Sequence, residues 1–134
     1  MLDSTAAVAA ERQGKNARQL LESVARETGD ERIAVSVITV LELAHGISRA
    51  DTPERRQQRQ RFLDELLIGL PIRPVMVAIA LRAGQIDGQS QATGVRIPLS
   101  DLQIGVSPVE LVYGVGTANV RHFQLIPGLN VTQL

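Results

Sequence analysis

The spacing of apolar and polar positions along the chain predicts helices and strands in alternation. Apolar residues recur at helical spacing after Asn16 and Val75, whereas residues 32–37 form a short run rich in β-branched side chains. Asn16 and Thr52 are residue types favoured at helix N-caps, and Pro53 suits the first helical position. These signals predict well-bounded helices with short buried strands between them.

The predicted elements cover most of the chain. We expect strands near residues 1–3, 32–37, 72–74, 115–118 and 129–131, and helices near residues 4–14, 16–27, 53–70, 75–91 and 100–113, with a further helix that begins at Thr39. Parallel strands need long crossover connections, which are usually helices, so this alternation predicts an α/β domain with a parallel sheet. The length of 134 residues suits a single domain over residues 1–134.

Composition narrows the class of protein. The chain has no cysteine and 44% hydrophobic residues, which predicts a globular protein without disulfides or zinc-thiolate sites. No apolar run approaches the roughly 18 residues of a membrane span, and the N-terminal segment lacks the basic-then-apolar order of a secretory signal. We therefore expect a cytoplasmic protein that does not enter a membrane.

Charge limits how the protein could recognise nucleic acid. The charges of its 14 basic and 14 acidic residues cancel. This balance argues against a protein that binds nucleic acid mainly through a net positive charge. Every basic residue except Lys15 is arginine, however, and the arginine guanidinium binds phosphate through two parallel hydrogen bonds. With two Phe, one Tyr and no Trp, a platform for stacking bases is not expected.

Asp3, Glu42 and Asp101 lie far in sequence from basic neighbours and close to apolar residues. On the predicted elements, Asp3 ends the first strand, and Glu42 and Asp101 lie in the first turns of helices that follow strands or loops. The carboxyl ends of parallel strands and the N-termini of the following helices share one sheet edge, where ligand crevices form. Asn119 follows the strand near residues 115–118 and would lie at the same edge.

Clustered carboxylates raise one another's pKa unless a cation neutralises them. Ligands that are all oxygen suit Mg²⁺ or Mn²⁺ rather than zinc. Such a metal polarises a phosphoryl oxygen and activates water, so the acids point to phosphodiester hydrolysis.

Simpler roles are open for each acid. Thr39 and Glu42 have the spacing of a capping box, and Asp101 is a first-turn acid of the kind that the helix dipole favours. Asp3 could cap the first helix. A carboxylate has two oxygens, so capping and metal binding are compatible.

A family resemblance extends over nearly the whole chain. It is carried by the segments LDSTAAVAAERQGK, SVITVLELAHGI, GVRIPLSDLQIGV and GTANVRHFQLIPGLNV. In this order and spacing they resemble the PIN-domain ribonucleases and, within them, the VapC-type toxins of bacterial toxin–antitoxin pairs. By position, the resemblance matches Asp3, Glu42 and Asp101 to the family's metal-binding acids and Asn119 to a site that is Asp or Asn. Thr5 and Thr117 match residues whose hydroxyls support the pocket.

The resemblance implies a PIN-like three-layer α/β/α fold with a central parallel sheet of about five strands. It also implies a Mg²⁺- or Mn²⁺-dependent endoribonuclease that cleaves structured RNA, such as tRNA or rRNA, and leaves a 5′-phosphate and a 3′-hydroxyl. The implied partners are a VapB-type antitoxin and a second copy of the chain in a homodimer.

Two departures from the family pattern favour an alternative function. Only Met1 and Leu2 precede Asp3, so we expect a short first strand, and Pro108 is expected to kink the helix that follows Asp101. Both fit a catalytically silent PIN-like module that binds a protein or RNA. A DNA-directed nuclease of the same fold is also open, because residues that bind phosphate do not distinguish RNA from DNA.

Other polar residues are given structural roles. His45 has a single E-x-x-H spacing with Glu42, His122 is expected to form hydrogen bonds in a loop, and Glu110 is expected at the surface. The arginines of residues 55–61 are interpreted as the exposed face of a helix, with contact to RNA as the alternative.

Overall fold

A computed structural model describes residues 1–29, 32–111 and 114–134, and of residues 110 and 111 it describes the backbone only. Its helices are α1 (Ser4–Arg12), α2 (Ala17–Thr28), α3 (Val37–Ser48), α4 (Pro53–Gly69), α5 (Val77–Ala92) and α6 (Leu99–Leu111), with a 3₁₀ turn, η1 (Phe123–Leu125). Its strands are β1 (Val35–Ser36), β2 (Ile72–Arg73), β3 (Gly114–Thr117) and β4 (Asn130–Gln133). The expected surface position of Glu110 and the expected helix end at Tyr113 lie outside the described residues. Within these ranges, no helix is long and apolar enough to cross a membrane.

The strands join into a parallel sheet through one central residue. β1 pairs with β2 and β3 pairs with β4, each in parallel. Leu2 forms single parallel bridges to Val35 on one side and to Gly116 on the other, which gives the order β2–β1–Leu2–β3–β4. The predicted parallel sheet is therefore confirmed, and its first strand consists of one bridging residue, Leu2.

Helices cover both faces of this sheet, and each face has its own apolar core. Neighbouring sheet residues contribute to opposite cores: Met1 belongs to the cluster with α5 and α6, and Leu2 to the cluster with α1 and α2. Ala34 and Val35 divide in the same way. Side chains alternate between the faces of a strand, so two apolar cores on opposite faces give the predicted three-layer arrangement.

Local capping signals explain where several helices begin. Asn16 accepts a hydrogen bond from the backbone of Gln19, whose side chain accepts one from the backbone of Asn16, so the capping box at α2 is complete. Thr52 caps α4 by accepting from the backbone N–H of Arg55, with Pro53 at the first helical position, as predicted.

The predicted start of α3 at Thr39 is wrong. Ser36 caps this helix by accepting a hydrogen bond from the backbone N–H of Ile38, so α3 begins at Val37. The hydroxyl of Thr39 is buried and donates instead to the carbonyl of Leu2, at 3.2 Å. Ser36 follows β1 directly, and the tight strand-to-helix connection makes it the cap.

Helix α6 also differs from the prediction. It begins at Leu99, one residue before the expected cap Ser100, and it continues to Leu111 with Pro108 inside it. Proline removes one backbone hydrogen bond from the helix, and Pro108 itself is fully buried. The helix that carries Asp101 thus continues past Pro108, as predicted, and the kink expected at Pro108 stays a prediction.

Candidate functional site

Asp3 lies at the centre of the sheet edge, directly after Leu2 and before α1. Only 1% of its surface is exposed. Asp3 occupies the N-cap position of α1, but its side chain makes no capping hydrogen bond. Its Oδ2 atom accepts hydrogen bonds from the hydroxyls of Thr5 at 2.6 Å and Thr117 at 2.8 Å. The simpler interpretation of Asp3 as a helix-capping side chain is therefore wrong.

The two threonines hold this carboxylate within a small hydroxyl network. The Oγ1 atoms of Thr5 and Thr117 lie 2.9 Å apart. The backbone N–H of Ala118 donates to Thr5, and that of Asn119 donates to Thr117. Thr5 lies at the start of α1, and Thr117 is the fully buried last residue of β3. The network therefore connects the start of α1 to the carboxyl end of a neighbouring strand.

Glu42 reaches the same region from α3. It lies in the second turn of that helix, and not in the first turn as predicted, because α3 begins at Val37. The hydroxyl of Ser4 donates to Oε2 of Glu42 and lies 3.5 Å from Oδ1 of Asp3. Ser4 thus links two of the predicted acids, and the capping-box role for Glu42 is wrong. The sequence signal for Ser4 was its place beside Asp3.

Asp101 lies in the first turn of α6, as predicted. Its side chain is 20% exposed, and its Oδ2 lies 2.7 Å from Nδ1 of His122. Burial raises the pKa of the Asp101 carboxyl above its usual value, although the hydrogen bond to His122 lowers it, and the negative charge of Asp3 raises it further. Asp3 and Asp101 therefore share one electrostatic environment at this edge of the sheet.

Asn119 is connected to these acids through its backbone. The residue is exposed, and its Oδ1 accepts from the backbone N–H of Arg121 at 3.4 Å. Its link to the acids runs through the hydrogen bond that its backbone N–H donates to Thr117. No described contact brings the Asn119 amide onto Asp3 or Asp101.

The donor set can be compared with the needs of a metal ion. Asp3, Glu42 and Asp101 offer only oxygen atoms, which suits Mg²⁺ or Mn²⁺. No lysine, arginine or histidine side chain in the described ranges pairs with Asp3 or Glu42. In the same ranges, however, no group of three or more acidic or histidine side chains is placed to hold an ion. The oxygen donors therefore suit such an ion chemically. In the structure, Glu42 is hydrogen-bonded to Ser4 and Asp101 to His122.

A groove opens beside Glu42, between α1, α3 and α4. It has a volume of about 730 Å³, and its lining carries three basic and four acidic side chains: Lys15, Arg59, Arg61, Glu11, Glu42, Glu54 and Glu65. Arg59 crosses this groove, because its guanidinium pairs with Glu11 at 2.9 Å and donates to the carbonyl of Gly46 at 2.7 Å. The interpretation of residues 55–61 as a purely exposed arginine face is therefore wrong for Arg59.

Comparisons with known proteins agree on the fold. A family model described as PIN domain matches residues 1–105. A comparison with curated proteins gives no match.

Solved structures match over nearly the full chain. A chain of VapBC2 from Rickettsia felis, solved with a DNA fragment from its promoter, is 23% identical, with 100% of this chain and 97% of that chain covered and a TM-score of 0.82. A chain of VapBC-1 from nontypeable Haemophilus influenzae is 23% identical over 99% and 96% of the two chains, with a TM-score of 0.79. A chain of FitAcB from Neisseria gonorrhoeae is 20% identical over 98% and 95%, with a TM-score of 0.78.

Proposed function

Because the chain belongs to the PIN domain family, as the motifs of its sequence predicted, we propose that it is a VapC-type, metal-dependent endoribonuclease toxin. Its substrate would be structured RNA, such as tRNA or rRNA, and a cognate VapB-type antitoxin would neutralise it. The full-length structural matches to chains of VapBC complexes support the toxin assignment through the fold.

The proposal rests mainly on the environment of the Asp3 carboxylate. An almost fully buried carboxylate accepts hydrogen bonds from two threonines, interacts with the charge of Asp101, and has no side-chain cation beside it in the described residues. Burying an ionised carboxylate without a counter-charge is costly. A divalent cation at this edge would supply the missing positive charge.

In this proposal, Asp3, Glu42 and Asp101 would hold the ion, and Asn119 would bind it directly or through water. Thr5 and Thr117 keep Asp3 oriented through their hydrogen bonds to its carboxylate. The bound ion would supply Lewis-acid polarisation of a phosphoryl oxygen and a lowered pKa for water.

The chain's own residues bind and orient the RNA. Arg121 is exposed in the segment between β3 and η1, two residues after Asn119, and its guanidinium is suited to a phosphate beside the site. Hydrolysis adds the water oxygen to phosphorus and transfers a proton to the leaving oxygen. The products are a 5′-phosphate and a 3′-hydroxyl.

The groove between α1, α3 and α4 supports a protein partner. Its lining mixes four acids with three bases, which suits a peptide with both charges better than a polyanion. Ser4 and Glu42 are part of its lining, so a segment bound there would contact one acid of the candidate site, Glu42. The antitoxin is the occupant that this proposal requires.

A catalytically silent module of the same fold is the second candidate. It is favoured because no three-ligand group is preformed among the described residues and because Ser4 and His122 already occupy Glu42 and Asp101. Such a module would bind RNA or a protein and would cleave nothing.

Incubation of the protein with total tRNA and rRNA, with Mg²⁺, Mn²⁺ or a chelator, separates the two candidates. The nuclease is expected to cleave only with metal, and Asp101→Asn is expected to lower the rate at least about a hundredfold, the scale of losing one electrostatic stabiliser. Asp64→Asn removes an exposed acid from α4 and serves as the matched control, with unchanged rate. Absence of metal-dependent cleavage by the wild-type protein would favour the silent module. Full-rate cleavage by Asp101→Asn would refute the site.

A further inference from the structure

His122 contacts the candidate site although it is distant from Asp101 in sequence. Its Nδ1 atom lies 2.7 Å from Oδ2 of Asp101, across 21 residues of chain. The His122 side chain is 26% exposed, so most of it is packed against the protein. An ionised carboxylate only accepts hydrogen bonds, so Nδ1 carries the hydrogen in this contact. One oxygen of Asp101 is thereby fixed, and the other is left for a ligand.

The position of His122 depends on how the turn that follows it packs on α6. Phe123 and Ile126 are both buried in the core that includes Leu102 and Ile104 of α6. Gly105 lies one helical turn after Asp101, and a Cβ atom at Gly105 would overlap Cδ1 of Ile126 and lie 3.2 Å from the Phe123 ring. Any side chain at residue 105 would therefore require the side chains of Ile126 and Phe123 to shift. His122 directly precedes Phe123, so this close packing brings its ring to Asp101.

We propose that His122 is a positioning residue for the metal-binding carboxylate of Asp101, and that Gly105 is the small residue that lets the turn at Phe123 present it. This inference rests on the proposed metal site and adds a residue outside its set of acids. Partners of this kind orient metal ligands, and their loss weakens metal affinity or activity by about 10–100-fold.

The atom that makes the contact gives a discriminating set of variants. Nδ1 is bonded to the ring carbon nearest the backbone, so the side-chain nitrogen of asparagine can take its place. The nitrogen of glutamine lies one bond farther out and matches Nε2 instead. His122→Asn is therefore expected to keep the contact, whereas His122→Gln and His122→Phe are expected to lose it.

Calorimetric titration with Mn²⁺ is the first test. We expect His122→Asn to bind Mn²⁺ within a fewfold of wild type, and His122→Gln and His122→Phe to bind about 10–100-fold more weakly. Thermal melting without metal checks that all three variants fold. If wild type and His122→Phe bind Mn²⁺ equally, the inference is overturned and the proposed metal site stands. If the wild type binds no Mn²⁺, both are overturned.

Gly105→Ala tests the second half of the inference. It is expected to weaken Mn²⁺ binding in the same range as His122→Phe, because the added methyl group pushes the turn and His122 away from α6. Gly88→Ala, in the middle of α5, is the matched control, since a Cβ there meets nothing within 4 Å. Unchanged Mn²⁺ affinity in a folded Gly105→Ala protein would overturn the role of Gly105.

A spectroscopic readout tests the contact without metal. The chain has only two histidines, His45 and His122, so nitrogen-detected imidazole spectra are simple to assign. At neutral pH we expect His122 to show hydrogen on Nδ1 in the wild type and to lose this preference in Asp101→Ala, with His45 unchanged. A His122 ring that carries its hydrogen on Nε2 in both proteins would overturn the proposed contact.

Discussion

Replacing Thr117 with valine tests how firmly the fold holds its buried carboxylate. Valine has nearly the same shape as threonine but has a methyl group in place of the hydroxyl. In the structure that hydroxyl lies 2.8 Å from Oδ2 of Asp3, is 2.9 Å from Thr5, and accepts from the backbone N–H of Asn119 at 3.0 Å. Thr117 is 0% exposed, so water cannot replace the lost partner.

The expected cost follows from these contacts. A hydrogen bond to a charged group contributes about 1.5–3 kcal/mol. The backbone N–H of Asn119 also loses its acceptor, which adds to this cost. We therefore expect Thr117→Val to lower the free energy of unfolding by about 2–3 kcal/mol. For a chain of this size, that corresponds to a fall in melting temperature of roughly 6–15 °C.

Urea unfolding of metal-free protein measures this change, with two controls. Thr117→Ser keeps the hydroxyl and should lose much less stability than Thr117→Val. Thr132→Val makes the same substitution on β4, where the hydroxyl forms no hydrogen bond to another described side chain, and should be nearly neutral. If Thr117→Val is as stable as Thr132→Val, the hydroxyl does not support Asp3, and this part of the reasoning is refuted.

Other predictions concern charge and assembly. Burial raises the folded-state pKa of the Asp101 carboxyl above its usual value. The contribution of this carboxyl to folding stability is therefore fully present at acidic pH, below its unfolded pKa, and is lost as the pH rises through the folded pKa. Without metal, Asp101→Asn should therefore melt higher than wild type at neutral pH, and an equal advantage at acidic pH would contradict this. Arg59→Met should lower the free energy of unfolding by about 1–3 kcal/mol, because Arg59 joins Glu11 to Gly46. Arg55→Met breaks only an exposed pair with Asp51 and should lower it by about 0.5 kcal/mol or less, as measured by urea unfolding. One face of α5 exposes two apolar side chains, Val77 at 76% and Leu81 at 70%, which a second copy of the chain would cover in a homodimer. A monomer by light scattering at micromolar concentration would contradict this prediction.

Local signals in the sequence predicted the helices well. Asn16 and Thr52 act as caps with partners three residues away, so the information lies within one turn of chain. The start of α3 was predicted less well, because Ser36 and Thr39 are both suitable caps by residue type. The choice between them depends on where β1 enters the sheet, and that is set by contacts with Leu2 and Pro71 far away in sequence.

The contacts around the site could not be predicted from the sequence, because they depend on how helices and strands pack against one another. Ser4 and Glu42 are 38 residues apart, Arg59 and Glu11 are 48 apart, and His122 and Asp101 are 21 apart. Residue type and spacing cannot show such pairs, because each requires two elements to dock at one relative position. The family resemblance identified the acids, and the PIN domain match confirms that resemblance. Their role as metal ligands remains a prediction.

Direct binding of Mn²⁺ is the measurement that bears most closely on the account, because the proposed chemistry depends on a cation between Asp3 and Asp101. Titration calorimetry of purified protein at neutral pH should show binding to the wild type, and affinity lower by at least about tenfold in Asp3→Asn and Asp101→Asn. Asp64→Asn should bind as the wild type does. Equal Mn²⁺ affinity in all four proteins, or no binding by the wild type, would contradict a metal site built on these acids.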